Sequence, residues 1–356
     1  MRWLLAVLSL AVLVAACGNG TPSASDGRLR VVATTTQVGE AARGVGGDDI
    51  ALTVLLKPGA EAHDFEITTT AAAAIERSDV ILESGAGLEV WLEGALATIG
   101  GRDRLRDMSE GVELRSPDDA ADAGEVDPHY WLTAPNASRM VENVRAALSA
   151  ARPELAAAFA ERASAYLARL ETADIEIRRL MAEIPTERRG IVTNHDALGY
   201  FLAEYGLRFV GSVFPSLDVS AEPNPAQLAA LADTIRREGV TAIFSESAVN
   251  PKLAKAIGVE TGARVVDQPL YTDSLGPPGS GADTLDGMLL HDAQVMHDAL
   301  VASSAYGFSS VTSGSSGAGS SAAASAAGSG AAGSGSRTAV SRARSSASSA
   351  SRRASA

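Results

Sequence analysis

Between Pro153 and Ile184, apolar or small residues recur at steps of three and four: Leu155, Phe159, Ala163, Tyr166, Leu170, Ala173, Ile177, Leu180 and Ile184. That spacing keeps one face of a helix apolar and leaves the other faces to Glu161, Arg162, Arg169, Glu171, Arg178 and Arg179. Pro153 fits a first helical turn, where its missing N–H costs nothing, and Pro185 stops the run. The pattern predicts a helix of roughly 48 Å. Because this exceeds the diameter of a small domain, the helix reads as a strut joining two lobes. A surface helix on one large domain is the other reading.

On both sides of the strut, short β-rich runs alternate with helical stretches. Before it, strands are expected at Leu29 to Thr34, Ala51 to Leu56 and Val80 to Leu82. Helices are expected between the first two strands, over Thr70 to Arg77, and from about Pro135 to Ala150. Arg102 to Val126 is acidic and irregular and reads as a surface connection. After the strut, strands are expected at Gly190 to Thr193, Arg208 to Phe214, Thr241 to Phe244 and Arg264 to Val266. Helix signals lie between them. Gly206 and Gly239 suit helix ends, Asn224-Pro225 and Asn250-Pro251 suit helix starts, and a last helix runs over Thr284 to Ala302. Such alternation predicts the α/β class, with two parallel-sheet lobes on either side of one long helix.

The two ends of the chain do not share this pattern. Met1 to Ala16 has the charge at Arg2 and the short apolar run of an export signal, too short to span a membrane. It ends in Val14-Ala15-Ala16-Cys17, which resembles a bacterial lipoprotein box and makes Cys17 the lipid-bearing first residue of the mature chain. An ordinary signal peptide with an incidental cysteine is the alternative. Cys17 is nevertheless the only cysteine and stands at the one position the box needs. Beyond Ser303 the chain is Ser, Ala and Gly with five arginines and no Asp, Glu or Lys, which predicts a disordered tail. It is either a genuine flexible tail or a frameshifted extension of the gene. The expected organisation is a signal peptide over 1–16, a lipidated tether over 17–27, an N-terminal α/β lobe over 28–150, the connecting helix over 151–185, a C-terminal α/β lobe over 186–302, and the tail over 303–356.

Charge and cysteine count narrow the chemistry. A net charge of −13 over 356 residues argues against nucleic-acid binding, and residues 1–302 alone carry −18. An acidic body is compatible with a cationic ligand, and also with solubility alone. With one cysteine there is neither an internal disulfide nor a cysteine-based metal site, so any metal must be held by His, Asp or Glu.

Of five histidines, three sit in loops after predicted strands: His63 in Pro58-Gly59-Ala60-Glu61-Ala62-His63-Asp64-Phe65-Glu66, His129 in Asp127-Pro128-His129-Tyr130-Trp131-Leu132, and His195 in Thr193-Asn194-His195-Asp196-Ala197. Open α/β sheets bind ligands at the carboxyl ends of their strands. Two of these histidines precede the strut and one follows it, so they can converge on a cleft between lobes. A closed site wants a fourth ligand. Asp273, Glu246 and Asp218 are candidates, and spacing does not choose among them. Asp64, Asp127 and Asp196 adjoin the three histidines and could orient them, although sequence neighbours often point elsewhere. His291 and His297, six apart on the last helix, do not share a face and read as surface residues.

Together, these motifs carry a resemblance. The opening Val31-Val32-Ala33-Thr34-Thr35, the His63 loop, Asp127 to Leu132, His195-Asp196-Ala197-Leu198-Gly199-Tyr200-Phe201, Ser245-Glu246-Ser247 and Tyr271-Thr272-Asp273-Ser274-Leu275-Gly276 occur in the order and spacing of one family. The chain is similar, over roughly Arg28 to Ala302, to the metal-binding lipoproteins that supply zinc or manganese to bacterial ABC importers. The resemblance implies two α/β lobes joined by one rigid helix, a metal site in the interlobe cleft, and the ligands His63, His129, His195 and Asp273, with Glu246 in support. The chain departs from the family at Thr133-Ala134, where an acidic residue and a proline are common. It also lacks the histidine-rich loop of some zinc members, since Asp118, Asp119, Asp122 and Glu125 have no histidine among them.

The expected function is a high-affinity extracytoplasmic receptor for Zn²⁺, with Mn²⁺ as the alternative. It would be lipid-anchored to the outer face of the cell membrane or periplasmic, act as a monomer, and pass its ion to a permease. Three imidazoles and one carboxylate suit zinc, whereas manganese prefers more oxygen donors. Histidines at their ordinary value would lose the metal as pH falls through about 6.5. A zinc-dependent hydrolase using the same histidines, with Glu246 or Glu222 as general base, is the competing reading. It lacks a His-Glu-x-x-His run. A receptor for a non-metal solute would need an aromatic or arginine-lined pocket, and aromatics are only 4% of the chain.

Overall fold

The computed structural model describes residues 27–117, 125–217 and 222–302. The expected signal peptide, the Cys17 tether, the 303–356 tail, and Asp118, Asp119, Asp122 and Asp218 lie outside the described residues. Within them are two four-stranded sheets, every pairing parallel.

The first sheet holds β1 (Leu29–Ala33), β2 (Ile50–Val54), β3 (Val80–Glu83) and β4 (Leu105–Asp107) in the order β2-β1-β3-β4. Its connections carry α1 (Thr36–Gly46), α2 (Thr69–Arg77) and α3 (Val90–Ile99), and α4 (Ala134–Ala151) follows. The second sheet holds β5 (Gly190–Thr193), β6 (Arg208–Ser212), β7 (Ala242–Glu246) and β8 (Arg264–Leu270) in the order β6-β5-β7-β8. Here α6 (Gly199–Tyr205), α7 (Pro225–Glu238) and α8 (Lys252–Thr261) make the crossovers, and α9 (Leu285–Ala302) ends the described chain. Each sheet reverses its winding direction once, between β1 and β3 and between β5 and β7. Such reversals open a crevice at the carboxyl ends of the strands.

The helix boundaries follow local chemistry. Asn224 caps α7 with its side chain on the Ala226 and Gln227 N–H groups, and Gln227 returns a bond to the Asn224 N–H, a reciprocal capping box. Gly206 and Gly239 end α6 and α7 in the left-handed conformation, which only a residue without Cβ adopts at little cost. The expected surface connection after Arg102 differs from prediction in one respect: it contains β4, a three-residue strand paired to β3.

The long helix is α5 (Ala156–Glu183), 28 residues entered through a 3₁₀ turn at Pro153–Leu155. It spans about 42 Å. Phe159, Ala163, Tyr166, Leu170, Ala173, Ile177 and Leu180 are all buried, so the predicted stripe is its packed face. It packs against α1, α4 and α9. One hydrophobic core runs from Leu29 and Val31 through Phe159 and Leu170 to Phe244, Leu270 and Leu300, and so passes through both lobes. The helix contributes to this core along its length and packs on helices that flank both sheets. Truncating a residue such as Leu170 to Ala would cost about 2–5 kcal/mol.

Candidate metal centre

Loops from four strand ends meet at the crevice. The His63 loop follows β2, the Asp127–Leu132 segment follows β4, His195 follows β5, and Asp273 follows β8. His63 Nε2 lies 3.3 Å from His129 Nε2. His129 Nε2 lies 3.2 Å from Asp273 Oδ1, and His195 Nε2 lies 3.5 Å from Asp273 Oδ2. His63, His129 and Asp273 each offer a ligand atom within 4.8 Å of the others. The His129 and His195 rings are 5.4 Å apart, centre to centre. Donors about 2.0–2.1 Å from a tetrahedral ion are roughly 3.3 Å from one another, so these spacings fit one small cation.

The supporting carboxylates select the ring nitrogen that faces the centre. Asp127 Oδ1 accepts from both the backbone N–H and Nδ1 of His129, each at 2.9 Å. Arg115 donates to the other Asp127 oxygen at 3.4 Å. Glu246, at the end of β7, holds its Oε2 2.6 Å from His195 Nδ1, while its Oε1 accepts the Asn194 and His195 N–H groups at 3.1 Å each. Thr272 Oγ1 donates to Glu246 Oε2 at 2.8 Å. With Nδ1 bonded to Asp127 in His129 and set against Glu246 in His195, Nε2 of each ring is left as the donor to a metal. On the outer side, Glu61 accepts the His63 N–H at 2.9 Å and Trp91 fixes the Ala62 carbonyl at 3.1 Å.

His129, His195 and Asp273 are buried, whereas His63 is half-buried and faces a cleft of ≈ 720 Å³ bordered by Phe65, Leu88, Trp91 and Pro128. Entry to the centre therefore passes His63. Burial disfavours a charged His129, but its bonds to Asp127 and Asp273 outweigh that and push its pKa up to about 9. His195 is likewise raised, since the charges of Glu246 and Asp273 outweigh its burial. Asp273 is held well below the ordinary carboxylate range, because the His195 and His129 imidazoles overcome the cost of its burial. An incoming cation thus competes with protons for these imidazoles.

Of the predicted residues, the structure brings ligand atoms of His63, His129 and Asp273 together, sets His195 beside Asp273 and His129, and places Glu246 against His195. Asp127 is also in place, a role that adjacency in sequence left open and that the Asp-x-His spacing could have signalled. Asp64 is exposed; Asp196 is buried beside His195, with its backbone N–H on the Ser216 carbonyl. The two helix-borne histidines are not plain surface residues. His291 is half-buried against Tyr271 and 3.1 Å from the Pro269 carbonyl, and His297 sits between Glu183 and Asp298.

The family model described as zinc-uptake complex component A, periplasmic, matches residues 31–299. The manganese-binding lipoprotein MntA of Bacillus subtilis is 31% identical over 300 residues, covering 83% of this chain and 97% of its own. The iron-binding protein YfeA of Yersinia pestis is 30% identical, covering 74% of this chain and 84% of its own. The solved structure of the periplasmic zinc-binding protein TroA from Treponema pallidum superimposes with a TM-score of 0.71 at 27% identity, covering 77% of this chain and 99% of its own.

Proposed function

The chain belongs to the family of periplasmic zinc-uptake component A proteins, and on that premise we propose that it is an extracytoplasmic receptor. It captures one zinc ion between its lobes and hands it to the permease of an ABC-type importer. The observation that carries this reading is the close set of ligand atoms of His63, His129 and Asp273, drawn from both lobes, with His195 Nε2 3.5 Å from the second Asp273 oxygen. Membership of the family does not choose the metal, since the relatives' names specify manganese, iron and zinc. The donor set favours zinc: three imidazoles and one carboxylate are borderline-soft, and manganese prefers more oxygen.

The family consists of receptor components rather than enzymes. The hydrolase reading needs an open coordination position and a free general base. Four donors close the position, and both Glu246 oxygens are engaged with Asn194, His195 and Thr272. The receptor acts as a monomer, tethered through a lipid on Cys17. Two or more acyl chains make such an anchor stable. Cys17→Ser should release the protein from membranes or leave its precursor uncleaved; normal processing and fractionation would contradict the anchor. Elemental analysis of protein purified without added metal tests the receptor reading, with about one zinc per chain expected. Protein that neither retains nor takes up a divalent ion would contradict it.

A further inference from the structure

Asp273 belongs to the C-terminal lobe, yet the backbone that presents it is held from the N-terminal one. Gln37 Nε2, on α1, donates to the Thr272 carbonyl at 3.0 Å, and Trp131 Nε1 donates to the same oxygen at 2.9 Å. Both side chains are fully buried. Beyond Asp273, the Leu275 N–H donates to Thr36 Oγ1 and the Gly59 N–H donates to Ser274 Oγ, each at 2.8 Å. The C-terminal lobe holds the same loop on both sides, through the Tyr271 N–H on Asp292 Oδ1 at 3.0 Å and the Gly276 N–H on the Ala282 carbonyl at 2.8 Å.

A carbonyl oxygen has two lone pairs, and at Thr272 side chains of the other lobe take both. The next residue is Asp273. The Thr272 hydroxyl meanwhile donates to Glu246, which sets the His195 ring. Thr272 therefore links the N-terminal lobe to both ligands contributed from beyond the strut, one through a single peptide unit and the other through Glu246.

We infer that Gln37 and Trp131 are positioning residues of the metal centre, which set Asp273 against His63 and His129 by fixing the Thr272 carbonyl. This rests on the reading of the four-donor centre as a metal site. Three of the donors then form a unit braced by the N-terminal lobe before any ion arrives, so capture does not require the Asp273 loop to close.

The test is a double-mutant cycle read by zinc titration against a competing chelator. Gln37→Leu and Trp131→Phe each remove the donor and keep much of the bulk. Each should weaken zinc binding by roughly tenfold, as loss of an outer partner of a ligand typically does. In an Asp273→Ala background the same changes should have an effect of less than about twofold, because the group they position is gone. An unchanged affinity in both single variants overturns the inference, as does an equal loss with and without Asp273, which marks a merely structural role. Should Gln37→Leu fail to fold, the Trp131→Phe cycle decides alone. A parent protein that binds no zinc would instead refute the metal centre itself.

Discussion

Asp127 holds His129 at two points: one carboxylate oxygen accepts both the ring Nδ1 and the backbone N–H of the histidine, each at 2.9 Å. The ring can therefore neither turn nor change tautomer without breaking a buried bond. Carboxylates in this position fix the orientation of a ligand imidazole and raise its basicity. Asp127→Asn keeps the shape but weakens the acceptor, and zinc affinity should fall about 10- to 100-fold. Chelator competition measures this, and parental affinity would show that Asp127 does not set the ligand.

The same contacts displace the pH dependence of binding. His129 titrates at about 9 rather than at the ordinary 6.5. Zinc binds the neutral imidazole and so must expel that proton below the raised value. Apparent affinity should rise with pH across the interval from 6.5 to 9 and level off above it, after correction for the chelator. Zinc binding near pH 7.5 should release protons into the buffer. A curve already flat above pH 7 would contradict the assignment of a raised His129.

A second buried carboxylate sits where α1, α5 and α9 meet, far from the ligands in sequence. Glu40 accepts the Tyr166 hydroxyl and, at 3.4 Å, the Leu285 N–H. Burial lifts its pKa to about 7, with Asp286 adding to the rise, and the Leu285 N–H and the charges of Arg169 and Arg43 do not cancel it. A carboxylate raised in the folded state favours folding while protonated, and that advantage is lost as pH climbs from its unfolded value through 7. Glu40→Gln should therefore be more stable than the parent at pH 8, by on the order of 3 kcal/mol, and melt higher, with the gap closing at pH 5. Equal melting at both values would show that Glu40 carries its charge without cost.

Much of this architecture was legible because it is periodic. Phe159 to Leu180 repeats at helical spacing and is buried at each step, so the strut could be read directly. The elements that were missed lack such a signal. β4 is three residues long with two of them exposed. α3 starts at Glu89 without a side-chain cap, because that carboxylate turns inward to Thr34, Ser84 and Gly85. At the centre, residue type and position after a strand marked the three histidines. The bond from Asp127 to His129 is local, two residues apart, and the Asp-x-His spacing signals it. The bond from Gln37 to Thr272 joins residues 235 apart, and no local pattern encodes it.

The central claim is one ion held jointly by His63, His129, His195 and Asp273. The most direct measurement is zinc titration against a competing chelator for the parent, His195→Ala, Asp273→Ala and, as a control, His297→Ala. His195 and Asp273 are the donors from beyond the strut, while His297, on α9, lies between Glu183 of α5 and Asp298. The account predicts about one zinc per chain in the parent and a loss of at least about a hundredfold in each ligand variant, at or beyond the upper end for an outer partner. His297→Ala should bind as the parent does. If His195→Ala and Asp273→Ala both bind zinc with parental affinity, the interlobe centre is refuted.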